Sequence, residues 1–121
     1  MNNGSLAGVT VLDLGQIYNG PYATFLMAMS GARVIKVESR TGETLRGGGR
    51  KGAATYPFVM LNQNKESITL DLKSERGCEL FRQLVQEADV LLENYGPDTM
   101  ERLGLSAQSL LAINPRLIYA S

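Results

Sequence analysis

Val9-Thr-Val-Leu-Asp-Leu14, Gly15-Gln-Ile-Tyr-Asn-Gly-Pro21, Tyr22-Ala-Thr-Phe-Leu-Met-Ala-Met-Ser30, Gly31 and Ala32-Arg-Val-Ile-Lys-Val-Glu38 follow one another without a break. The first run is β-branched and mostly apolar, the pattern of a buried strand. The second holds glycines and a proline, and Pro21 suits the first turn of a helix. Tyr22 to Ser30 is apolar nearly all round and predicts a short buried helix. Gly31 fits the left-handed position just past its end. Ala32 to Glu38 reads as a second strand. Strand, helix and strand in so short a span form a βαβ unit, which decides the fold class.

The rest of the chain repeats that alternation. Ser67 to Asp71 reads as a third strand. Ser74 caps a helix over Glu75 to Glu87, in which Cys78, Phe81, Leu84, Val85 and Ala88 recur at three- and four-residue spacing. Asp89 to Glu93 is the fourth strand. Gly96-Pro97 opens a short helix that stops at Gly104. Ser106 caps another that ends near Asn114-Pro115, and Arg116 to Ala120 is a last strand. Strands alternating with helices imply a mostly parallel sheet covered on both faces, an α/β architecture that right-handed crossovers make Rossmann-like. Ser39 to Phe58, rich in glycine and arginine, reads as a long loop. Phe58 to Gln63 fits either loop or a helical turn. A strand at the very end suggests a chain cut short at Ser121.

Composition narrows the chemistry. The 121 residues suffice for one modest domain. Lys plus Arg and Asp plus Glu both number 12, so no overall field draws nucleic acid or anionic lipid. There is one Cys and no His, which excludes an internal disulfide, the usual zinc sites and His-dependent nucleophilic triads within the chain. The first residues lack a signal-peptide pattern, and no apolar run is long enough to span a bilayer. A cytoplasmic setting is therefore expected, with no metal and no permanently bound cofactor.

No G-x-G-x-x-G or P-loop pattern is present. Arg46-Gly-Gly-Gly-Arg50-Lys51 has the composition to wrap a phosphate, but its spacing favours a solvated loop. In an open parallel sheet, ligands lie outside the carboxyl ends of the strands. That rim holds Gln16, Tyr18, Asn19, Lys73, Asn94 and Tyr95, which offer hydrogen bonds, an aromatic face and a cation suited to a nucleotide-like ligand. Each residue alone is also explained as a turn former or solvated charge, and both readings stay open for the group. Cys78 is read as core, Asp13 as a partner of a nearby backbone N–H, and Lys65 and Arg102 as surface charges. Met27, Met29, Met60 and Met100 are read as core filler.

Several stretches together resemble the family III CoA-transferases, which include formyl-CoA transferase, carnitine CoA-transferases and α-methylacyl-CoA racemase. They are Leu6 to Leu14, Gly20 to Ala23, Gly31 to Glu38, Gly42-Glu43 leading to Arg46, Asn64 to Lys73, Ala88 to Tyr95, Glu101 to Gly104 and Asn114 to Tyr119. The resemblance implies that residues 1–121 are the amino-terminal, CoA-binding part of a larger domain, followed by a small domain, in an interlocked homodimer. It implies contacts to CoA from Lys73, Asn94, Tyr95 and Arg102 and apolar contacts from Leu70 and Leu103. Gln16, Ile17, Tyr18 and Asn19 match the loop that approaches the thioester, and Arg46 falls in a loop that approaches the nucleotide in some members. Many relatives carry Arg where this chain has Ser39, and Arg40 stands in for it. Many also carry Arg where this chain has Gly96.

The implied activity is transfer of CoA from an acyl-CoA to a free carboxylic acid through an aspartyl nucleophile. No residue here matches that aspartate, which lies downstream in relatives. The alternatives are an acyl-CoA racemase on the same scaffold, or an inactive CoA- or nucleotide-binding fragment.

Overall fold

The computed structural model describes residues 3–47 and 54–121. The elements run β1 (Thr10–Asp13), α1 (Asn19–Met29), β2 (Arg33–Glu38), a 3₁₀ turn (Thr44–Arg46), α2 (Tyr56–Leu61), β3 (Lys65–Thr69), α3 (Glu75–Glu87), β4 (Val90–Leu92), α4 (Thr99–Arg102), α5 (Ala107–Ile113) and β5 (Ile118–Ala120). All strand pairs are parallel, and the order across the sheet is β3-β2-β1-β4-β5. The chain thus builds outward from β1 to one edge and then crosses back to build toward the other. That reversal puts a switch point between the carboxyl ends of β1 and β4, where such sheets hold their ligands.

Alternation along the strands divides the core. Leu12, Ile35, Val37 and Leu91 face a large cluster completed by Cys78, Phe81, Val85, Met100, Leu105, Leu110 and Leu117. Val11, Val34 and Val90 face a smaller one with Ala28 and Ala32. Phe81 and Val85 are fully buried on successive turns of α3, and each buried side chain of this size contributes about 1.5–3 kcal/mol. Cys78 lies in this core, as its place on the apolar stripe predicts; its Sγ donates to the Leu72 carbonyl at 3.0 Å.

The α/β class and all five strands agree with the sequence reading, and so do the bounds of α3. Differences arise where tertiary pairing overrides local pattern. β3 starts at Lys65 rather than Ser67, because Lys65 and Glu66 pair with Val34 and Ile35. The 39–58 segment is not loop throughout. Glu43 caps the 3₁₀ turn by accepting the Leu45 N–H, and Thr55 caps α2 by accepting the Phe58 N–H. α1 begins at Asn19, ahead of Tyr22. Nor is it buried all round: Gly20, Pro21, Thr24 and Ala28 face inward, while Tyr22, Leu26 and Met29 are about half exposed. Met100 is core, but Met29 and Met60 lie largely open. Gly31, at φ 101°, takes the left-handed position after α1. No helix among the described residues is long and apolar enough to cross a membrane.

Candidate functional site

The loop after β1 turns back on itself between two glycines. A Cβ on Gly15 would come within 2.9 Å of the Gly20 backbone, and one on Gly20 within 2.8 Å of the Gly15 Cα. Only glycine at both positions lets the ends of the loop meet. Asn94, just past β4, then clasps the loop across the switch point. Its Oδ1 accepts the Gln16 N–H at 2.7 Å, and its Nδ2 donates to the Gln16 carbonyl at 2.8 Å. The next residue, Ile17, sits at φ 67°. A β-branched side chain there costs on the order of 1–3 kcal/mol unless its surroundings hold it. The Ile17 N–H donates to Glu43 Oε1 at 3.0 Å.

Beneath the loop, on the face shared with Val11 and Val34, lies a buried polar layer. Asp13 accepts from Gly15 N at 2.7 Å, from Thr24 Oγ1 at 2.7 Å and from Lys65 Nζ at 2.9 Å. Lys65 Nζ also donates to the Pro21 carbonyl and to Asn62 Oδ1, each at 2.9 Å. Lys36 Nζ donates to the Gly15 carbonyl at 2.8 Å and stands 4.0 Å from Asp13 and 3.9 Å from Glu43 Oε2. Burial lowers the affinity of Lys65 for its proton, and the Asp13 carboxylate opposes that shift. The Asp13 reading as a backbone acceptor is thus extended to a full charge cluster. The reading of Lys65 as a surface charge is wrong: its side chain is 1% exposed.

Glu38 anchors the next loop. Its two oxygens accept from Arg46 Nε and Nη2 at 2.7 Å each, from Ser67 Oγ at 2.8 Å and from Glu43 N at 2.9 Å. Burial penalises its charge, but these donors outweigh the penalty and bring the carboxyl down to about 2. Arg46 also lies over the Phe58 ring, 4.3 Å from its centroid.

Two clefts that reach Gln16 open at the rim, beside a third of about 440 Å³ between residues 93–101 and Tyr119. The first, of about 380 Å³, runs from Ser39, Arg40 and Thr41 past Leu70–Lys73 to Thr99 and Leu103. The second, of about 400 Å³, is lined by Gln16, Ile17, Tyr18, Asn19, Asn94, Tyr95 and Gly96. Gln16 and Tyr95 line both and form the junction. The Tyr95 hydroxyl holds its proton more tightly than usual because it is buried. Arg40 and Lys73 are exposed and have no ion-pair partner among the described residues.

Of the residues singled out from sequence, Gln16, Arg40, Leu70, Lys73, Tyr95 and Leu103 meet at the first cleft; Ile17, Tyr18, Asn19 and Asn94 join Gln16 and Tyr95 at the second. Arg46 and Arg102 line neither. Arg46 is held by Glu38, and Arg102 is exposed with Nη2 donating to Thr99 Oγ1 at 3.2 Å. Part of the Arg46–Lys51 stretch lies outside the described residues. Sequence reasoning missed Lys36, Glu43 and Thr24, which carry the polar layer. One signal was available for Lys36: a lysine flanked by Val and Ile in a strand expected to be covered on both faces must find a partner.

A family model described as CoA-transferase family III matches residues 6–121. The formyl-CoA:oxalate CoA-transferase of Streptomyces avermitilis is 44% identical over 119 residues, which cover 97% of this chain and 29% of that protein. The acetyl-CoA:oxalate CoA-transferase of Acetobacter aceti is 42% identical over 120 residues, 98% of this chain and 31% of that protein. The crystal structure of a CAIB/BAIF family protein from Brucella suis superposes with a TM-score of 0.91 at 40% identity, covering 98% of this chain and 33% of the other. The chain thus spans about three-tenths of the length of these curated relatives.

Proposed function

The chain belongs to CoA-transferase family III, and from that membership we propose that it forms the CoA-binding part of an enzyme that moves CoA from an acyl-CoA to a free carboxylic acid. The observation that carries the reading is the pair of clefts joined at Gln16 and Tyr95 over the switch point. In this reading the adenine nucleotide occupies the first cleft. Leu70, Leu72 and Leu103 supply apolar contact, and Arg40 and Lys73 supply cations for its phosphates. Arg102 reaches the same phosphates by leaving its weak bond to Thr99. The pantetheine arm passes the junction, and the thioester comes to rest over Ile17, Tyr18 and Asn19.

The chemistry belongs to an aspartate outside these residues. Its carboxylate attacks the thioester carbonyl, the C–S bond breaks, and CoA leaves as a thiolate. The thiolate then attacks the aspartyl carbonyl of the mixed anhydride, which releases the first acid and leaves an aspartyl-CoA thioester. The acceptor carboxylate attacks that thioester and frees the thiolate again. Attack of the thiolate on the acceptor carbonyl gives the new acyl-CoA and restores the aspartate. Names of the curated relatives support oxalate as an acceptor to try first. We further assign the chain to the amino-terminal part of the large domain of an interlocked homodimer working in the cytoplasm.

The test is CoA binding by calorimetry with the intact protein. Lys73→Ala should weaken CoA about tenfold or more, the loss of one charge-assisted contact of roughly 1.5–3 kcal/mol. An unchanged dissociation constant in Lys73→Ala and Arg102→Ala would sink the assignment.

A further inference from the structure

We propose that Glu43 is a positioning residue for the rim loop: by accepting the Ile17 N–H it holds Ile17 in the left-handed region and so fixes the backbone at the junction of the two clefts. Glu43 lines neither cleft. Its carboxylate is buried, with the side chain 2% exposed. Oε1 accepts both the Ile17 and the Leu45 N–H groups, at 3.0 and 3.1 Å. Oε2 has no hydrogen-bond donor among the described residues and faces Lys36 Nζ at 3.9 Å. Lys36 in turn holds the Gly15 carbonyl. The two buried charges therefore grip the main chain on either side of Gln16, while Asn94 grips Gln16 itself. Glu43 is fixed in its own place by Glu38, which accepts its N–H.

A carboxylate serving only to complete the 3₁₀ turn would need the Leu45 contact alone. The bond to Ile17 crosses to a different element and lands on the described β-branched residue with a positive φ. Glutamine retains an Oε1 acceptor for both N–H groups, whereas alanine removes it. The kinetic half of the inference rests on the CoA reading given above; the structural half does not.

The experiment compares Glu43→Ala and Glu43→Gln in the intact protein by crystal structure, CoA titration and steady-state acyl transfer. In Glu43→Ala, Ile17 should leave the left-handed region and kcat should fall about tenfold or more, while the CoA dissociation constant stays within about threefold. Glu43→Gln should keep Ile17 at positive φ and most of kcat. Persistence of the left-handed Ile17 in Glu43→Ala would overturn the inference, as would equal losses in binding and kcat, or a glutamine variant that behaves like alanine. If Glu43→Ala does not fold, Ile17→Gly on the same background should restore folding, since glycine takes that backbone unaided; failure to do so also overturns it. Wild-type protein that binds no CoA refutes the functional reading alone, because the Ile17 backbone in the variants still decides this one.

Discussion

Lys65 and Asp13 are joined by a 2.9 Å contact with almost no water access. Removing one partner of such a pair strands the other charge, which costs about 3–5 kcal/mol. Lys65→Met should therefore lower the unfolding temperature of the intact protein sharply. Lys65→Met combined with Asp13→Asn should lose much less than the sum of the single variants, as read by urea unfolding. A second residue-scale expectation concerns acid. The Glu38 carboxyl titrates at about 2 in the folded chain against an ordinary 4.5. A depressed carboxyl stabilises the fold above its unfolded value, and that contribution fades as the pH falls from about 4.5 toward 2. Glu38→Gln should flatten this part of the stability–pH profile, and an unchanged profile would remove Glu38 as its source. Neither residue could be read fully from the sequence. Glu38 looks like a strand-end carboxylate and Lys65 like a surface charge; their partners lie 3 to 52 positions away, and the distant ones meet only when the sheet forms.

At the scale of elements, the turn from β3 into α3 shows what local sequence can and cannot specify. Ser74 was legible as a cap, and it does accept the Gly77 N–H at 3.0 Å while donating to the Asp71 carbonyl at 2.8 Å. Ser74→Ala should cost about 1 kcal/mol. The role of Gly77 was not legible, because glycine inside a helix carries no pattern. A Cβ there would lie 1.9 Å from the Asp71 carbonyl oxygen. Gly77→Ala must therefore displace the Asp71–Lys73 turn, which is a wall of the first cleft. It should destabilise the protein more than Ser74→Ala and also weaken CoA binding, although residue 77 touches no ligand in the proposed site. Equal stability losses with intact CoA affinity would show that the turn yields without moving Lys73. The strands and α3 were readable because their periodicity is strong. The 3₁₀ turn was not, and α2 was legible only as an open choice between loop and helical turn over Phe58 to Gln63, since both are short and held by single caps.

Across the whole molecule, apolar surface is unevenly distributed. Tyr22, Leu26 and Met29 on α1 and Tyr56, Val59 and Met60 on α2 are each at least 44% exposed. Ile118 on the edge strand β5 is 64% exposed. Soluble monomers rarely leave so many large side chains bare on neighbouring helices. The 121 residues expressed alone should associate with rising concentration and bind a hydrophobic dye. Leu26→Glu with Met60→Lys should reduce both effects. A sharp monomeric transition for the unaltered chain would contradict the expectation. Which residues form the face was not legible in the sequence: Tyr22, Leu26 and Met29 read as part of a buried helix, and Tyr56, Val59 and Met60 fell in stretches read as loop or as either loop or helical turn.

The Asn94 clasp reaches Gln16 only through main-chain atoms. The clasp itself is therefore indifferent to which side chain position 16 carries, while the Gln16 side chain separately accepts from Thr44 Oγ1 at 3.5 Å. A scaffold of this kind is modular: one codon at position 16 can exchange the functional group offered at the junction of the clefts while the Asn94 clasp that presents it stays in place.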